Sequence, residues 1–398
     1  MIAEREENTL CTGCELCLNI CPVGAIKMHE DQQGFLYPAV EKEKCINCNL
    51  CEKRCPVRKE EQKQEDICVQ RYYAAQIKDN QVLMKSSSGG ICFGISQYVI
   101  GRGGVVYGVT LNEFYEIVYD RVSCFDDIYN ILGSKYVQTN IDSIYKEIEN
   151  DIKRDLEIAV FGNPCLIDAI KDFIVIKGYN LDKILFCDFV CHGVTSPKIW
   201  EEYVKYLGLS GEKYNFRGKS NGWNHWSPEV QKVDGSLSSV LNNKMNYIKL
   251  YQTAYITREG CFSCKYCTYE RKSDITMGDF WNIGNCFPRM DNDKGTSQVL
   301  VNTMKGFELW NEICKDFVYT ECKKEDVWQP HLEYPTNVNM EKREKFWQDY
   351  QKISFEQLME KYRKGSLMGK CKDIFVPFAR KTGLYVFLGK LYRRIFVS

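Results

Sequence analysis

The sequence has no excess of either charge, since 53 Lys and Arg residues balance 53 Asp and Glu residues. This balance argues against a nucleic-acid-binding protein, which needs a basic surface. No apolar run approaches the roughly 18 residues that a membrane-spanning helix requires. We also expect no secretory leader, because Met1-Ile2-Ala3-Glu4-Arg5 lacks a basic stretch followed by an apolar one. We therefore expect a cytoplasmic protein whose thiols stay reduced.

Cysteine, in contrast, is abundant, with 21 among 398 residues. Eight cysteines lie between Cys11 and Cys55, in two copies of the pattern C-x2-C-x2-C-x3-C-P. Thiolates are the ligands that iron–sulfur clusters select, and this spacing is typical of bacterial two-cluster ferredoxins, in which the fourth cysteine of each run binds the other cluster. The pattern predicts two 4Fe–4S clusters, one held by Cys11, Cys14, Cys17 and Cys55, the other by Cys45, Cys48, Cys51 and Cys21.

Two other uses of these cysteines fit the spacing less well. Zinc sites are built from C-x2-C pairs with a longer gap between them, whereas both runs here are intact quartets that end in Cys-Pro. A disulfide framework belongs to an oxidising compartment, which the N-terminal residues do not indicate. Iron–sulfur clusters remain the favoured interpretation.

The composition divides the chain into segments. Residues 1–60 form the ferredoxin domain, which has little apolar mass, so its clusters must supply much of its folding energy. Residues 70–152 and 153–330 form the two parts of a second domain, and residues 331–398 form a helical, basic tail. Strands and helices alternate in the second domain, which argues for an α/β core. The predicted fold class is therefore α+β, a ferredoxin domain followed by an α/β core and a helical tail.

A serine- and glycine-rich turn, Ser87-Ser88-Gly89-Gly90, precedes apolar residues at helical spacing. The N–H groups at such a helix start suit a phosphate or an electron-rich ring edge. Simple serine capping of the helix is an equal alternative. A second small-residue turn, Gly133-Ser134-Lys135, can present one cation to a ligand, although this signal alone is weak.

Two strand–turn–helix units follow. In the first, Cys165 lies near a helix start, where the helix dipole favours the thiolate. In the second, a strand leads to Cys191-His192-Gly193, and Ser196 with Pro197 makes a well-matched helix start. Residues 211–250 then read as an irregular β-rich insertion. Its Arg217 and Lys219 can meet an anionic substrate, but we favour a plain rim loop, because no motif constrains the segment.

A third group of cysteines, Cys261, Cys264 and Cys267, has no C-x3-C-P run to complete it. Its remaining ligands must come from elsewhere in the fold. Cys165 and Cys191 follow two adjacent predicted strands, where α/β sheets gather ligands. A four-thiolate site of Cys165, Cys191, Cys261 and Cys264 is therefore predicted, with Cys267 and Cys187 as spare or substitute ligands.

From about Tyr72 to Asn302 the chain resembles the beta subunit of coenzyme F420-reducing hydrogenase and its dehydrogenase relatives. The resemblance rests on motifs in the same order: Ser87-Ser88-Gly89-Gly90, Gly133-Ser134-Lys135-Tyr136, Gly162-Asn163-Pro164-Cys165, Cys191-His192-Gly193, the Cys261/Cys264 pair and Asp274-Ile275-Thr276-Met277-Gly278-Asp279-Phe280-Trp281. It implies a flavin, FAD or FMN, and a third 4Fe–4S cluster on the α/β domain. Asn163 and Leu166 depart from the Thr and Gln that relatives often carry.

The resemblance also implies which residues serve the flavin and the inner cluster. The expected flavin contacts are Ser87, Ser88, Gly89, Gly90, Ser134, Lys135, Asn163 and Asp279. The expected ligands of the inner cluster are Cys165, Cys191, Cys261 and Cys264. His192 is a candidate catalytic proton donor, with a hydrogen bond to a cluster sulfur as the favoured alternative.

The implied function is an iron–sulfur flavoprotein oxidoreductase that exchanges electrons between an external donor such as ferredoxin and a small organic substrate. Similar proteins come from surface-polysaccharide gene neighbourhoods. Two alternatives stay open: an electron-transfer module that serves a partner enzyme, and a cluster-bearing scaffold without flavin.

The C-terminal segment is basic. From Lys361 onward it carries ten Lys or Arg residues and a single acid, Asp373, among aromatic and aliphatic residues. Such a tail can lie on an anionic membrane surface. A basic helix docked on its own domain is an equal alternative.

Overall fold

The computed structural model describes residues 8–59, 70–141, 143–239 and 247–363. Residues 60–69, which join the ferredoxin domain to the second domain, and the basic tail beyond residue 363 lie outside these ranges. The predicted membrane contact of the tail therefore lies outside them too. Within the described ranges, no helix combines the length and apolar character needed to cross a bilayer.

The strands, in chain order, are β1 (Ile26–Glu30), β2 (Leu36–Val40), β3 (Arg71–Ile77), β4 (Val105–Leu111), β5 (Ile117–Val122), β6 (Ile158–Gly162), β7 (Ile184–Phe189), β8 (Lys213–Gly218), β9 (Ser227–Gln231), β10 (Leu237–Ser239), β11 (Ile275–Asp279), β12 (Ser297–Val301) and β13 (Phe317–Cys322). The helices are α1 (Leu16–Asn19), α2 (Leu50–Lys53), α3 (Asn80–Lys85), α4 (Ile91–Gly101), α5 (Ile128–Ile131), α6 (Ile144–Lys153), α7 (Pro164–Ile176), α8 (Pro197–Leu207), α9 (Tyr247–Gln252), α10 (Ile283–Cys286), α11 (Met304–Ile313), α12 (Met340–Tyr350) and α13 (Phe355–Arg363).

The N-terminal module is small. Its β1 and β2 form an antiparallel hairpin, and α1 and α2 contact each other beside it. Its buried apolar side chains include Leu16, Ile20 and Phe35. This content agrees with a domain that depends on its clusters for stability.

The central element is an eight-stranded mixed sheet in the order β13-β3-β12-β11-β7-β6-β4-β5. Its middle strands β4, β6, β7 and β11 run parallel to one another. Every residue of β6 and β12 is buried, as expected for strands covered on both faces. Helices α4 and α11 cover one face, and α6 and α7 cover the other. The predicted α/β core and its large sheet are confirmed.

Residues 211–250, which we expected to be a rim loop, contribute to a further layer of the structure. Strands β8, β9 and β10 form a separate antiparallel sheet, which packs with α8, α9, α12 and α13 around an aromatic cluster. Arg217, Lys219 and Trp223 are buried here. The rim-loop interpretation was therefore wrong. Helices α12 and α13 come from the first part of the C-terminal segment 331–398.

The sheet positions the candidate site. The parallel strands β6, β7 and β11 end at one edge, and Asn163, Cys191 and Asp279 lie at or just after their last residues. This edge is where open α/β sheets bind ligands.

Candidate functional site

The first ferredoxin quartet converges on one cavity of about 460 Å³, which Cys11, Cys14, Cys17 and Cys55 all line. Burial raises the pKa of the Cys14 thiol to about 12 and also raises the pKa of Cys17 and of Cys55. Four half-buried thiols around one space need a cation to stabilise their thiolates. The donor set therefore fits a 4Fe–4S cluster.

The second predicted quartet lies nearer the surface. Cys48 is exposed, and the neighbouring Ile46 side chain is 61% exposed. Cys45 and Cys51 flank it in the loop before α2 and in α2 itself. Cys21 accepts a hydrogen bond on Sγ from the backbone N–H of Ala25, at 3.2 Å. This end of the module gives an external electron carrier the more direct access.

The third group of thiols lines a larger cavity, of about 790 Å³, at the edge of the sheet. Cys165 comes from the first turn of α7, Cys191 follows β7, and the other thiols come from the loop before β11. Burial raises the pKa of Cys165, and the neighbouring thiols raise it further. The cysteines that line this cavity are Cys165, Cys191, Cys261, Cys264 and Cys267, together with Cys14.

Of the two substitute ligands that the sequence offers, Cys267 lines the inner cavity and Cys187 does not. Cys187 is buried within β7, in register with Ile275, and it does not line the cavity. Cys267 lines the cavity and interacts with Cys264. A hydrogen bond from the Cys267 thiol lowers the pKa of Cys264 to about 7, whereas the pKa of Cys267 is raised. Cys264 is thus the more readily ionised of the two, which favours it as a ligand.

Gly193, which follows Cys191 and His192, occupies a position that requires glycine. Its φ of +95° belongs to the left-handed region. A Cβ at this position would lie 2.8 Å from Thr257 Cγ2 and 3.2 Å from Cys261 Cβ. Only glycine allows the loop after β7 to approach the Cys261 loop this closely.

The two cavities share a wall, because Thr12, Gly13 and Cys14 line both of them. The thiol that belongs to the first ferredoxin quartet therefore also faces the inner cavity. No other cysteine is common to both linings. This contact places the two predicted clusters next to each other.

Arg258 fastens this wall, although no sequence pattern indicated it. Its side chain is fully buried. Its Nε donates to Cys11 O at 2.7 Å, its Nη2 to Leu36 O at 2.8 Å, and its Nη1 to Gln138 Oε1 at 2.8 Å. Nη2 also lies 3.5 Å from Cys11 Sγ. Nearby, a Cβ on Gly260 would lie 2.7 Å from Cys11 O, so the chain segments meet at backbone contact.

The Ser-Gly turn contacts the Gly-Ser-Lys turn. Ser134 Oγ donates to Ser87 Oγ at 2.9 Å. Ser88 Oγ donates to Thr296 O at 2.8 Å, and the Gly89 N–H donates to Ser297 Oγ at 2.8 Å. The turn is thereby fixed to β12 at the edge of the sheet.

The helix-capping alternative for this turn was wrong. Gly90 is the N-cap residue of α4, and no side chain caps that helix. The hydroxyls of Ser87 and Ser88 are used between elements instead, in the contacts to Ser134 and Thr296.

Two lysines support the turns, Lys135 from a half-buried position and Lys219 from a buried one. Lys135 Nζ donates to Leu132 O at 2.7 Å and Asn130 O at 3.1 Å, and burial lowers its pKa to about 7. Lys219 Nζ donates to carbonyl oxygens of Leu83, Ser88 and Lys294 at 2.6–3.2 Å, and burial lowers its pKa to about 7 as well. Both ammonium groups bind the backbone, so they hold the turns in place.

Asp279 forms a buried ion pair with Arg217, at 2.6 Å between Oδ2 and Nη1. Arg217 Nε and Nη2 and Asp279 Oδ1 have no hydrogen-bond partner among the residues that the structure describes. The Arg217 guanidinium lies 4.6 Å from the Trp226 ring centroid and 5.5 Å from that of Trp281. Unpaired donors beside an unpaired acceptor suit a planar ring edge that carries both, such as that of a flavin.

His192 faces the same region. Its ring centroid lies 4.1 Å from that of His331, and burial lowers its pKa to about 4. The imidazole is therefore neutral near pH 7 and can donate a single N–H. Asn163 is the N-cap residue of α7 without a side-chain capping bond, and it lines the inner cavity.

Comparisons with known proteins agree with this geometry. Residues 10–59 match the family described as 4Fe-4S dicluster domain, which confirms the predicted ferredoxin domain. Residues 155–327 match the family described as the C terminus of the coenzyme F420 hydrogenase/dehydrogenase beta subunit.

Two further matches cover more of the chain. The F subunit of the F(420)H(2) dehydrogenase from Methanosarcina mazei is 25% identical over 365 residues, which cover 80% of this chain and 96% of the relative. A chain of the xenon-derivatised F420-reducing NiFe hydrogenase complex from Methanosarcina barkeri has 18% identity and a TM-score of 0.44, covering 64% of this chain and 82% of that chain.

Proposed function

We propose that this chain, which matches the coenzyme F420 hydrogenase/dehydrogenase beta-subunit family over residues 155–327 and a 4Fe–4S dicluster domain over residues 10–59, is a three-cluster flavoprotein oxidoreductase. In this proposal the clusters relay single electrons between an external carrier and a flavin, and the flavin exchanges a hydride with an organic substrate. The match to an oxidoreductase family that transfers electrons through iron–sulfur clusters is the starting point. The flavin, the third cluster and the substrate are the proposed parts.

The observation that carries the proposal is the wall shared by the two thiol-lined cavities. Cys14 lines both cavities. Arg258 Nε donates to the carbonyl oxygen of Cys11 at 2.7 Å, which holds the ferredoxin loop against the loop of Cys261. Protein side chains therefore connect the outer and inner sites without an intervening gap. This arrangement suits electron relay better than two independent structural metal sites.

The proposed ligands follow this geometry. The ferredoxin domain would hold its two clusters with Cys11, Cys14, Cys17 and Cys55, and with Cys45, Cys48, Cys51 and Cys21. The inner cluster would be held by Cys165, Cys191, Cys261 and Cys264.

For the flavin, we propose that Ser87, Ser88, Gly89, Gly90, Ser134, Lys135, Asn163 and Asp279 shape the site. To these we add Arg217, whose two unpartnered nitrogens lie beside the Asp279 carboxylate. The pair can donate to a ring carbonyl and accept from a ring N–H at the same edge. His192 would orient a group near the inner cluster by its single N–H donor.

The nature of the substrate rests on the relatives alone. One relative is part of an enzyme named F(420)H(2) dehydrogenase, which makes a reduced deazaflavin one candidate. A precursor of surface polysaccharide is the other candidate. Oxidised protein can be offered the reduced deazaflavin, with reduction of the protein's flavin as the readout. Reduced protein can be offered the polysaccharide precursor, with reoxidation of the flavin as the readout.

The proposed electron path can be tested by stopped-flow spectroscopy with dithionite-reduced ferredoxin as donor. We expect wild-type protein to bleach first in the iron–sulfur region and then in the flavin band. Cys191→Ala should keep the first phase and lose most of the second, while Cys124→Ala, an exposed thiol outside all three sites, should behave like wild type. Flavin reduction in Cys191→Ala at the wild-type rate would rule out the path.

A second function is an electron-transfer subunit that serves a partner enzyme. The exposed Cys48 loop favours it, because an exposed cluster can meet a large partner, and the Methanosarcina mazei relative is named as one subunit of an enzyme. Protein that holds three clusters, exchanges electrons with ferredoxin and turns over no small molecule would support this function over the first.

A further inference from the structure

Arg271 is a buried arginine that lies between the Cys267 loop and β11. Its side chain is 2% exposed. Its Nε, Nη1 and Nη2 have no hydrogen-bond partner within the described ranges of the chain. A buried guanidinium without partners is costly, so such a group indicates an acceptor that the protein chain does not itself provide.

Asp188 is the acid nearest to Arg271, but it does not satisfy it. The two side chains are both 2% exposed, and Arg271 Nη1 lies 3.7 Å from Asp188 Oδ2. This separation exceeds that of a hydrogen bond. Asp188 sits in β7 opposite Thr276 of β11, so neither partner can move far without disturbing the sheet.

Arg271 follows Cys267 in the loop before β11, and Asp188 lies three residues before Cys191. The positive charge of Arg271 favours the thiolate forms of Cys191, Cys264 and Cys267, acting against the burial that raises the pKa of Cys191. All three thiols line the inner cavity. The unpartnered guanidinium and the predicted cluster sulfurs therefore occupy the same part of the molecule.

We propose that Arg271 is a positioning residue that donates hydrogen bonds to sulfur atoms of the inner cluster and raises its reduction potential. The inference rests on the proposed third cluster. One-electron reduction adds one negative charge to a thiolate-bound cluster, so a nearby buried cation stabilises the reduced form. Asp188 acts in the opposite sense. The pair thereby sets how strongly the inner cluster draws electrons from the ferredoxin domain.

The test is a potentiometric titration of the full-length protein followed by electron paramagnetic resonance. The inner-cluster signal is identified first, as the one lost in Cys191→Ala. We expect Arg271→Gln to lower the ratio of reduced to oxidised inner cluster at least tenfold at a fixed potential, which is ~59 mV for one electron. Asp188→Asn should shift the same midpoint upward, and Arg271→Lys should keep most of the wild-type value.

The control removes a half-buried arginine from another Arg–Asp pair, Arg121→Gln beside Asp151, and should leave the midpoint unchanged.

Unchanged midpoints in both Arg271→Gln and Asp188→Asn would overturn the proposal. Shifts of both in the same direction would also overturn it, since they would indicate loosened packing. If Arg271→Gln fails to hold the cluster, an unchanged midpoint in Asp188→Asn decides against the proposal. Wild-type protein without a third signal contradicts the proposed function itself.

Discussion

At the scale of single residues, Arg258 makes contacts that its neighbours in the sequence do not indicate. Arg258 reaches Cys11, which is 247 positions away in the chain. No local pattern encodes such a contact. The cysteine spacings, in contrast, predict the ferredoxin ligands from local sequence, because cluster geometry imposes those spacings within a few residues.

Replacing Arg258 should weaken the contact between the ferredoxin loop and the core. Arg258→Gln removes charge-assisted hydrogen bonds to Cys11 O and Leu36 O, each worth about 1.5–3 kcal/mol when buried. We expect a lower midpoint of unfolding and slower electron transfer from the ferredoxin clusters inward. Thermal melts and stopped-flow reduction measure both. Arg102→Gln, an exposed arginine paired with Glu157, is the control. If both variants behaved alike, Arg258 would have no special role.

Cys264 and Cys267 can be distinguished by substitution. The hydrogen bond that lowers the pKa of Cys264 makes it the better ligand, so Cys264→Ala should lose about four irons per chain, the content of one cubane. Cys267→Ala should retain them. Iron analysis after anaerobic purification provides the measurement, and the reverse outcome would move the assignment to Cys267.

At the scale of elements, the strand–turn–helix units were predictable from periodicity and helix-start signals. Ser196 caps α8 and Pro197 is its first residue, as predicted. The burial of the residues in and just after strand β8 was not predictable, although residues 211–250 read as β-rich, because Phe216-Arg217-Gly218-Lys219 reads as a polar, glycine-containing loop. Their charges become buried only because Asp279 and three distant carbonyl groups neutralise or bind them.

Gly193 offers a test of how tightly the inner site is built. Gly193→Ala combines left-handed strain, about 1–2 kcal/mol, with a clash against Thr257 and Cys261. Gly178→Ala shares a positive φ, +78°, but its Cβ would meet no atom within 4 Å. We expect both variants to lose some stability and only Gly193→Ala to lose the inner cluster. Chemical denaturation and iron analysis check this; equal iron contents would argue against the close approach.

At the scale of the whole molecule, the ferredoxin domain is fixed to the core at several places. Arg258 and Gly260 hold the loop of Cys11. Lys59 donates to Asp168 at 3.1 Å, and Tyr266 donates to the same carboxylate at 2.7 Å. The domain organisation was readable from composition, whereas this docking depends on contacts that sequence patterns do not carry.

Iron removal should affect the two parts unequally. The ferredoxin domain has few buried apolar side chains, while the sheet is covered by large apolar clusters on both faces. We expect hydrogen exchange in iron-free protein to lose protection across residues 8–59 and to keep it in β6, β7 and β12. Uniform loss throughout the chain would show that the clusters stabilise the sheet as well.

The central claim is that the cysteines of this chain hold three clusters that connect to a flavin. The most direct measurement is the content of iron, sulfide, zinc and flavin in anaerobically purified protein. Our account predicts roughly twelve irons and twelve sulfides per chain, four of each in every thiolate-bound cubane, with one flavin released on denaturation. Protein that holds zinc in place of iron, or roughly eight irons and no flavin, would contradict it.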